Sequence, residues 1–186
     1  MTPILYLVIP CYNEEQVLPL TSGKFKSKLE ELIEAEKISP ESRVMFVNDG
    51  SKDTTWDILS KLCEEDEKYC AISLSRNRGH QNALIAGLME AKKHADITIS
   101  MDCDGQDDIN AIGQMVDEYA KGSEIVFGVR NDRTTDSWFK RTTAQSYYKV
   151  LRGMGVEIIP DHADYRLMSA RVLNALEGYS EVNLFL

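Results

Sequence analysis

Residues 4–50 read ILYLVIPCYNEEQVLPLTSGKFKSKLEELIEAEKISPESRVMFVNDG, and three patterns follow one another along them. Ile4–Ile9 is a continuous apolar run of strand length. Phe25, Leu29, Leu32 and Ile33 then recur at the spacing of one helix face. Arg43–Asn48 is a second short strand pattern. Strand, helix and strand in that order make a crossover unit, which joins parallel strands. The pattern continues outward. Asp53 is placed to cap a helix striped by Trp56, Leu59, Leu62 and Cys63, and Ala71–Ser75 is a third strand. Ala83–Met89 is apolar nearly all round and predicts a buried helix. Ile97–Met101 is a fourth strand, Ile109, Ile112, Val116 and Tyr119 stripe another helix, and Ile125–Val129 is a fifth strand. The expected class is α/β, with a mainly parallel central sheet flanked by helices.

The regular alternation stops after residue 129. Arg130 to Asp136 is polar, and Trp138, Phe139, Thr142, Tyr147, Val150 and Leu151 predict a helix ending near Gly153 and Gly155. Tyr147 and Tyr148 read there as packing residues. Tyr165–Met168 is one more short segment, Val172–Leu176 a last helix, and the chain halts on the uncapped apolar sequence Asn183-Leu184-Phe185-Leu186, as a cut chain would.

Composition narrows the function classes. The 186 residues are 43% hydrophobic and 27% charged, with 21 basic against 30 acidic side chains and a net charge of −9. That length is expected to form one domain with a core that needs no staples. The acidic balance argues against nucleic-acid binding, since the longest charge run is Glu64-Glu65-Asp66-Glu67, the wrong sign for phosphate neutralisation. Cys11, Cys63, Cys70 and Cys103 are scattered without a CxxC pair, which suits buried thiols in a reducing compartment rather than zinc. The longest apolar run falls far short of the ~18 residues that span a bilayer.

In open parallel sheets, ligands sit beyond the carboxyl ends of the strands. The segments expected there are unusually polar: Pro10-Cys11-Tyr12-Asn13-Glu14-Glu15, Asn48-Asp49-Gly50-Ser51, Arg76-Asn77-Arg78-Gly79-His80 and Asp102-Cys103-Asp104-Gly105-Gln106-Asp107. Glu14, Asp49, Asp102 and Asp104 would converge on one edge. Convergent acids repel one another, so a cation or a hydroxyl-rich ligand is expected among them. Strand alternation would send Asp102 and Asp104 the same way, where two hard carboxylates can share Mg²⁺ or Mn²⁺ with substrate phosphates. A bare Asp-x-Asp also fits a turn with a helix-capping aspartate. Asp49-Gly50-Ser51 reads equally well as a strand-to-helix turn, with Gly50 supplying backbone freedom and Ser51 or Asp53 the cap. A dinucleotide fold would need GxGxxG after the first strand, where PCYNEE stands, and a P-loop is also absent.

Taken together, VIPCYNEE (Val8–Glu15), VNDGSKDTT (Val47–Thr55), LSRNRGHQNALIAGL (Leu74–Leu88), MDCDGQDD (Met101–Asp108) and DYRLM (Asp164–Met168) resemble glycosyltransferase family 2 in order and spacing. The resemblance covers almost the whole chain and is greatest to the polyprenyl-phosphate and dolichol-phosphate sugar transferases. It implies a GT-A fold, an α/β/α sandwich, with a nucleotide-binding part over about 1–105 and an acceptor-side part over about 106–186. It also implies an inverting enzyme that moves a hexose from a UDP- or GDP-sugar to a polyprenyl phosphate with Mg²⁺ or Mn²⁺. The alternatives are transfer to a saccharide hydroxyl in cell-surface polysaccharide synthesis, or a sugar-nucleotide-binding module without turnover.

Residue by residue, the resemblance places Pro10, Tyr12 and Glu14 in the nucleotide pocket, with Val47 and Asp49 on the base or ribose. Asp102 and Asp104 match the metal motif, with Cys103 between them in the donor site. Arg130 matches a diphosphate-binding arginine and reads equally as a surface arginine. Arg133 and Arg141 are weaker candidates for an acceptor phosphate. Asp164 matches the acceptor-site acid or base, against the alternative of a structural pairing with Arg166. A phosphate nucleophile is mostly ionised at pH 7, so Asp164 would orient more than deprotonate. His80 and His162 read as hydrogen-bonding loop residues rather than catalytic ones. Asp107-Asp108-Ile109 stands where the family usually has a Pro pair. Relatives of this branch continue past the DYRL-like segment, so the expected membrane contact at the cytoplasmic face lies in that continuation, this stretch is expected to be soluble, and a homo-oligomer is left open.

Overall fold

The structure is a computed structural model that describes residues 2–129 and 162–178. Among these, β1 is Leu5–Cys11, α1 Leu18–Glu34, β2 Arg43–Asn48, α2 Thr55–Glu65, β3 Tyr69–Ser73 and α3 His80–Ala91. Then come β4 Ile97–Ser100, α4 Ala111–Ala120, β5 Ile125–Val129, β6 His162–Ser169 and α5 Ala170–Glu177. The expected helix around Trp138–Leu151 lies outside the described residues.

The strands form one sheet in the order β3-β2-β1-β4-β6-β5. β1, β2, β3 and β4 pair in parallel, and β6 runs antiparallel to both β4 and β5. Among the described strands β6 alone is reversed, so the sheet is mainly parallel, as the alternation predicts. The segment expected over Tyr165–Met168 is a longer strand that enters the sheet between β4 and β5. The first strand runs on to Cys11 and the third begins at Tyr69, shifts of two residues from the apolar runs. α1 starts at Leu18, about two turns before its apolar stripe suggests, with Pro19 in the first helical turn, where an N–H is not needed.

Alternation sorts the side chains onto two faces. Leu5, Leu7 and Ile9 of β1 and Ile97 and Ile99 of β4 pack with Leu18, Phe25 and Leu29 of α1, Leu59 of α2 and Ile112 and Val116 of α4. On the other face, Val8, Met45, Val47 and Met168 pack with Ala83, Leu84, Leu88 and Ala91 of α3 and Leu173 of α5. These faces are the two helical layers of the sandwich. α3 buries the stripe Ala83, Leu84, Gly87, Leu88 and Ala91, while its remaining apolar residues are half-buried rather than enclosed all round. Gly87 lets this helix lie close on the sheet, since a Cβ there would stand 2.5 Å from Val47 Cγ2 and 2.6 Å from Val8 Cγ1. Gly87→Ala is therefore expected to cost roughly 1–3 kcal/mol by overpacking, read as a lower urea midpoint at unchanged m.

Candidate active site

The parallel strands β1, β2, β3 and β4 end at the same edge, and the segments that follow them are bonded to one another. After β1, Asn13 takes a left-handed conformation (φ 56°), and its N–H donates to Ser51 Oγ at 3.0 Å while its Oδ1 accepts from Lys52 N–H at 2.9 Å. Glu14 N–H donates to Thr55 Oγ1 at 2.8 Å, and Glu15 N–H to Asp53 Oδ2 at 3.2 Å. Glu15 Oε2 in return accepts from the N–H and hydroxyl of Thr54. The sequences NEE and SKDTT thus form one stitched unit. The N-cap of α2 is Thr54 rather than Asp53, which stands one residue earlier and still accepts from Thr55 N–H at 3.0 Å. Burial pushes Asp53 up, but bonds from the Thr55 hydroxyl and from the Thr55 and Glu15 N–H groups outweigh it, so its carboxyl lies below the usual range.

Gly50 turns the chain out of β2 with φ 64°, and a Cβ there would come 2.4 Å from the Arg76 carbonyl carbon. The loop after β3 rests on this bare backbone. Asp49, 2% exposed, holds the same loop from the side: Oδ1 accepts from Arg78 N–H at 2.6 Å and Oδ2 from Gly79 N–H at 2.9 Å.

The fourth segment is a compact turn. β4 ends at Ser100, so a turn, and not strand alternation, presents Asp102 and Asp104. Asp102 N–H donates to Asp107 Oδ2 at 3.2 Å, and Asp104 Oδ1 accepts from Gln106 N–H at 2.9 Å. Asp107 braces the turn, and Asp108 Oδ1 accepts from Asn110 N–H at 3.0 Å as the chain enters α4. The Tyr165 hydroxyl donates to the Asp108 carbonyl at 2.9 Å. β6 thus supports the acidic turn from outside it.

These segments enclose a cavity of about 350 Å³ lined by Pro10, Cys11, Tyr12, Glu14, Asp49, Asn77, His80, Ala83, Asp102, Cys103 and Asp104. Its size is that of a small-molecule site. The sequence-predicted Pro10, Tyr12, Glu14, Asp49, Asp102, Cys103 and Asp104 meet here. Val47 does not: its side chain is fully buried beneath α3, on the face that strand alternation dictates, and supports the cavity from below. The Arg130, Arg133 and Arg141 candidates lie outside the described residues, as do the side chains of His162 and Asp164, although both of these stand on β6. Sequence reading passed over Cys11, Asn77, Ala83 and His80 as site residues. His80, read as a loop residue, opens α3 and places Nε2 3.8 Å from Asp102 Oδ1. Cys11 closes β1 and Asn77 lies in the loop after β3, positions that mark a sheet edge, whereas His80 and Ala83 belong to the first turn of α3 and carry no such signal.

Electrostatics mark the cavity as short of positive charge. Burial first, then the charges of Asp104, Asp53 and Asp102, raise the Glu14 carboxyl above the ordinary glutamate range. The folded chain holds this proton more tightly than the unfolded chain does. Glu14's contribution to stability is therefore greatest below its unfolded pKa and is lost as pH rises through that value towards the folded one. A cation among the acids would reverse the shift. Carbon NMR titration of the Glu14 carboxyl is expected to give a lower pKa with Mg²⁺ than with EDTA, and an unchanged value would place the cation elsewhere. At the cavity floor, the neighbouring Cys103 thiol and then burial push the Cys11 thiol well up.

Asp102 and Asp104 fit a hard divalent ion in ligand type, being carboxylates at the mouth of a cavity that concentrates negative charge. Among the described residues no trio of His, Cys, Asp or Glu is grouped to hold a metal unaided. A two-carboxylate site completed by phosphate oxygens of a ligand is the remaining fit.

Comparison with known proteins agrees with this architecture. The profile of Glycosyl transferase family 2 matches residues 6–176. The Bacillus subtilis (strain 168) protein named Uncharacterized glycosyltransferase YkoT is 46% identical over 184 residues, covering 99% of this chain and 55% of its own length. Bactoprenol glucosyl transferase of Shigella phage SfX is 35% identical over 182 residues, covering 97% of this chain and 57% of its own. Among solved structures, mannosyltransferase PcManGT from Pyrobaculum calidifontis in complex with GDP-Man and Mn²⁺ superposes with a TM-score of 0.58 at 18% identity, over 96% of this chain and 48% of that one. The fold is thus of the GT-A type. The chain spans about half the length of the curated relatives it matches. Among the described residues no helix is long and apolar enough to cross a membrane.

Proposed function

This chain belongs to glycosyl transferase family 2, and from that premise we propose that it carries the donor-binding core of an inverting enzyme that moves a hexose from a UDP- or GDP-sugar to a polyprenyl phosphate. The observation that carries the reading is the cavity formed where four parallel strands end, lined by Pro10, Tyr12, Glu14, Asp49, Asp102 and Asp104. In this reading residues 1–105 supply the nucleotide site and 106–186 the acceptor side.

Tyr12, 40% exposed at the cavity wall, presents a ring face to the base or sugar, and Glu14 accepts from donor hydroxyls. Asp102 and Asp104 would be the residues that hold Mg²⁺ or Mn²⁺. When bound, the ion neutralises charge on the departing nucleoside diphosphate. His80 at the start of α3 sits beside Asp102 and steadies that carboxylate. Arg130 is assigned to the diphosphate and Asp164 to the acceptor by the resemblance of their sequence contexts. The acceptor class is supported by relatives named bactoprenol glucosyl transferase at 35% identity. A phosphate monoester is mostly ionised at pH 7, so the nucleophile needs orientation more than a strong base. Such an acceptor places the whole protein at the cytoplasmic face of a membrane.

Calorimetric titration of the full-length protein with UDP-glucose, UDP-GlcNAc and GDP-mannose, in Mn²⁺ and in EDTA, tests the donor site. Metal-dependent binding of one donor, followed by a lipid-extractable sugar when polyprenyl phosphate is added, is the expected result. Binding that ignores EDTA would remove the metal assignment, and transfer only to a saccharide hydroxyl would replace the acceptor.

A further inference from the structure

The acidic turn of residues 102–108 is pliable by sequence and firm only through the bonds made to it. No proline stiffens residues 101–110, and Gly105 takes a positive φ of 71°. From within the turn, Asp102 N–H donates to Asp107 Oδ2 at 3.2 Å and Gln106 N–H to Asp104 Oδ1 at 2.9 Å. From α1, Thr21 packs so near that a Cβ on Gly105 would stand 3.3 Å from Thr21 Cγ2. From β6, the Tyr165 hydroxyl donates to the Asp108 carbonyl at 2.9 Å.

The surroundings of Tyr165 hold that hydroxyl in place. Tyr165 is 5% exposed and packs in the same core as Met101, Cys103, Ile112 and Met115. Its chain neighbour Arg166 pairs with Ser100, the last residue of β4, from which the turn departs. The ring fits because Gly128 of β5 has no side chain: a Cβ there would stand 2.5 Å from Tyr165 Cδ1 and 3.1 Å from Met115 Cε. At that same glycine the register of β5 against β6 shifts, between Phe127 and Val129. Burial first, then the charges of Asp107 and Asp108, push the hydroxyl pKa up, so the group stays a donor at neutral pH. Tyr165 thus stands beside the start of the turn and grips its end, just before α4.

We propose that Tyr165 is a positioning residue, whose hydroxyl fixes the turn that presents Asp102 and Asp104 and sets both carboxylates relative to the strand that carries Asp164. A small divalent ion demands near-ideal ligand geometry, so a loosened turn costs rate even with both ligands present. This functional half rests on the metal and acceptor assignments made above, whereas the bracing of the turn stands on the geometry alone. Tyr69 of β3 supplies a matched control. It is also buried, and its hydroxyl donates to the Ser22 carbonyl at 3.1 Å. Removing either hydroxyl deletes a tyrosine-to-carbonyl bond and keeps the ring. The Asp108 carbonyl retains its bond from Ala111 N–H at 3.0 Å, so Tyr165→Phe and Tyr69→Phe are expected to lower the urea midpoint by similar amounts.

The test compares full-length wild type with these two variants. Hydrogen exchange, read by mass spectrometry on peptides covering residues 101–108, is expected to quicken ~10-fold in Tyr165→Phe and to match wild type in Tyr69→Phe. Unchanged exchange in Tyr165→Phe would overturn the brace. Sugar transfer from UDP-glucose or GDP-mannose to polyprenyl phosphate in Mn²⁺ is expected to fall ~10-fold in kcat/KM in Tyr165→Phe alone. Beside Asp104→Asn, where the turn no longer presents both carboxylates, the same substitution is expected to change kcat/KM by less than about twofold. Equal losses in the two tyrosine variants, or an undiminished loss beside Asp104→Asn, would reduce Tyr165 to a general structural role and overturn the proposal. Quickened exchange in Tyr165→Phe, with a wild type that transfers no sugar from either donor, would support the brace and count against the proposed function alone.

Discussion

Asp104→Asn is expected to lower metal-dependent sugar transfer by the full-length protein ~10²–10³-fold in kcat/KM, with its folded stability kept. An exposed turn carries Asp104, and its one described bond is Oδ1 accepting from Gln106 N–H at 2.9 Å. An asparagine carbonyl accepts the same bond, so the turn survives. On the proposed metal site, the variant would lose one of two anionic ligands to a divalent ion, and that loss of charge stabilisation during departure of the diphosphate would be worth several kcal/mol. Each ~1.4 kcal/mol is a factor of ten. Stability is expected to stay within ~0.5 kcal/mol of wild type, as for an ordinary surface position. Its direction is also fixed: Asp104 is the largest charge acting on Glu14, so neutralising it lowers the Glu14 pKa and relieves repulsion in the folded state. A variant that loses activity while becoming slightly harder to unfold is the signature of an acid kept for function rather than for folding. Retention of full Mn²⁺-dependent donor binding in calorimetry would remove Asp104 from the metal site.

How far the sequence reveals this molecule depends on the range of the interactions involved. The strands of residues 4–9, 43–48, 97–101 and 125–129 are apolar because both faces of a parallel sheet are covered, and that requirement is local enough to read directly. β6 is harder. Its antiparallel place between β4 and β5 follows from pairings such as Ser100 with Arg166 and Val126 with Leu167, which link distant stretches of chain. The site divides the same way. Tyr12, Glu14, Asp102 and Asp104 are legible as cavity residues because loops at strand ends expose their polar residues. Val47, which the family resemblance assigns to the base or ribose, is fully buried under α3 and does not line the cavity, a placement set by packing across the sheet rather than by its own sequence neighbours. His80 and Cys11 were passed over because neither residue type is diagnostic alone, and their meaning comes from Asp102 and Cys103 across the cavity.

Asp49 makes the same point as a prediction. The family resemblance assigns it to the base or ribose, and it does line the cavity, yet each of its oxygens already accepts a backbone N–H from the loop after β3. Charged hydrogen bonds of this kind contribute ~1.5–3 kcal/mol each, and their loss leaves two donors without acceptors at a position that is 2% exposed. Asp49→Ala is therefore expected to cost roughly 3–5 kcal/mol in denaturant unfolding. Asp49→Asn keeps one acceptor but turns an amide N–H₂ towards the other N–H, so an intermediate cost of about 1–3 kcal/mol is expected. A residue that acts only on the ligand would leave unfolding unchanged in both variants. The loop it holds carries Asn77 into the cavity and delivers the chain to His80, so its release also disturbs the wall facing Asp102. Donor affinity should then fall for every base offered, UDP and GDP alike, because the whole wall moves. A loss confined to one base, at full stability, would instead restore Asp49 to the role of a base-reading residue.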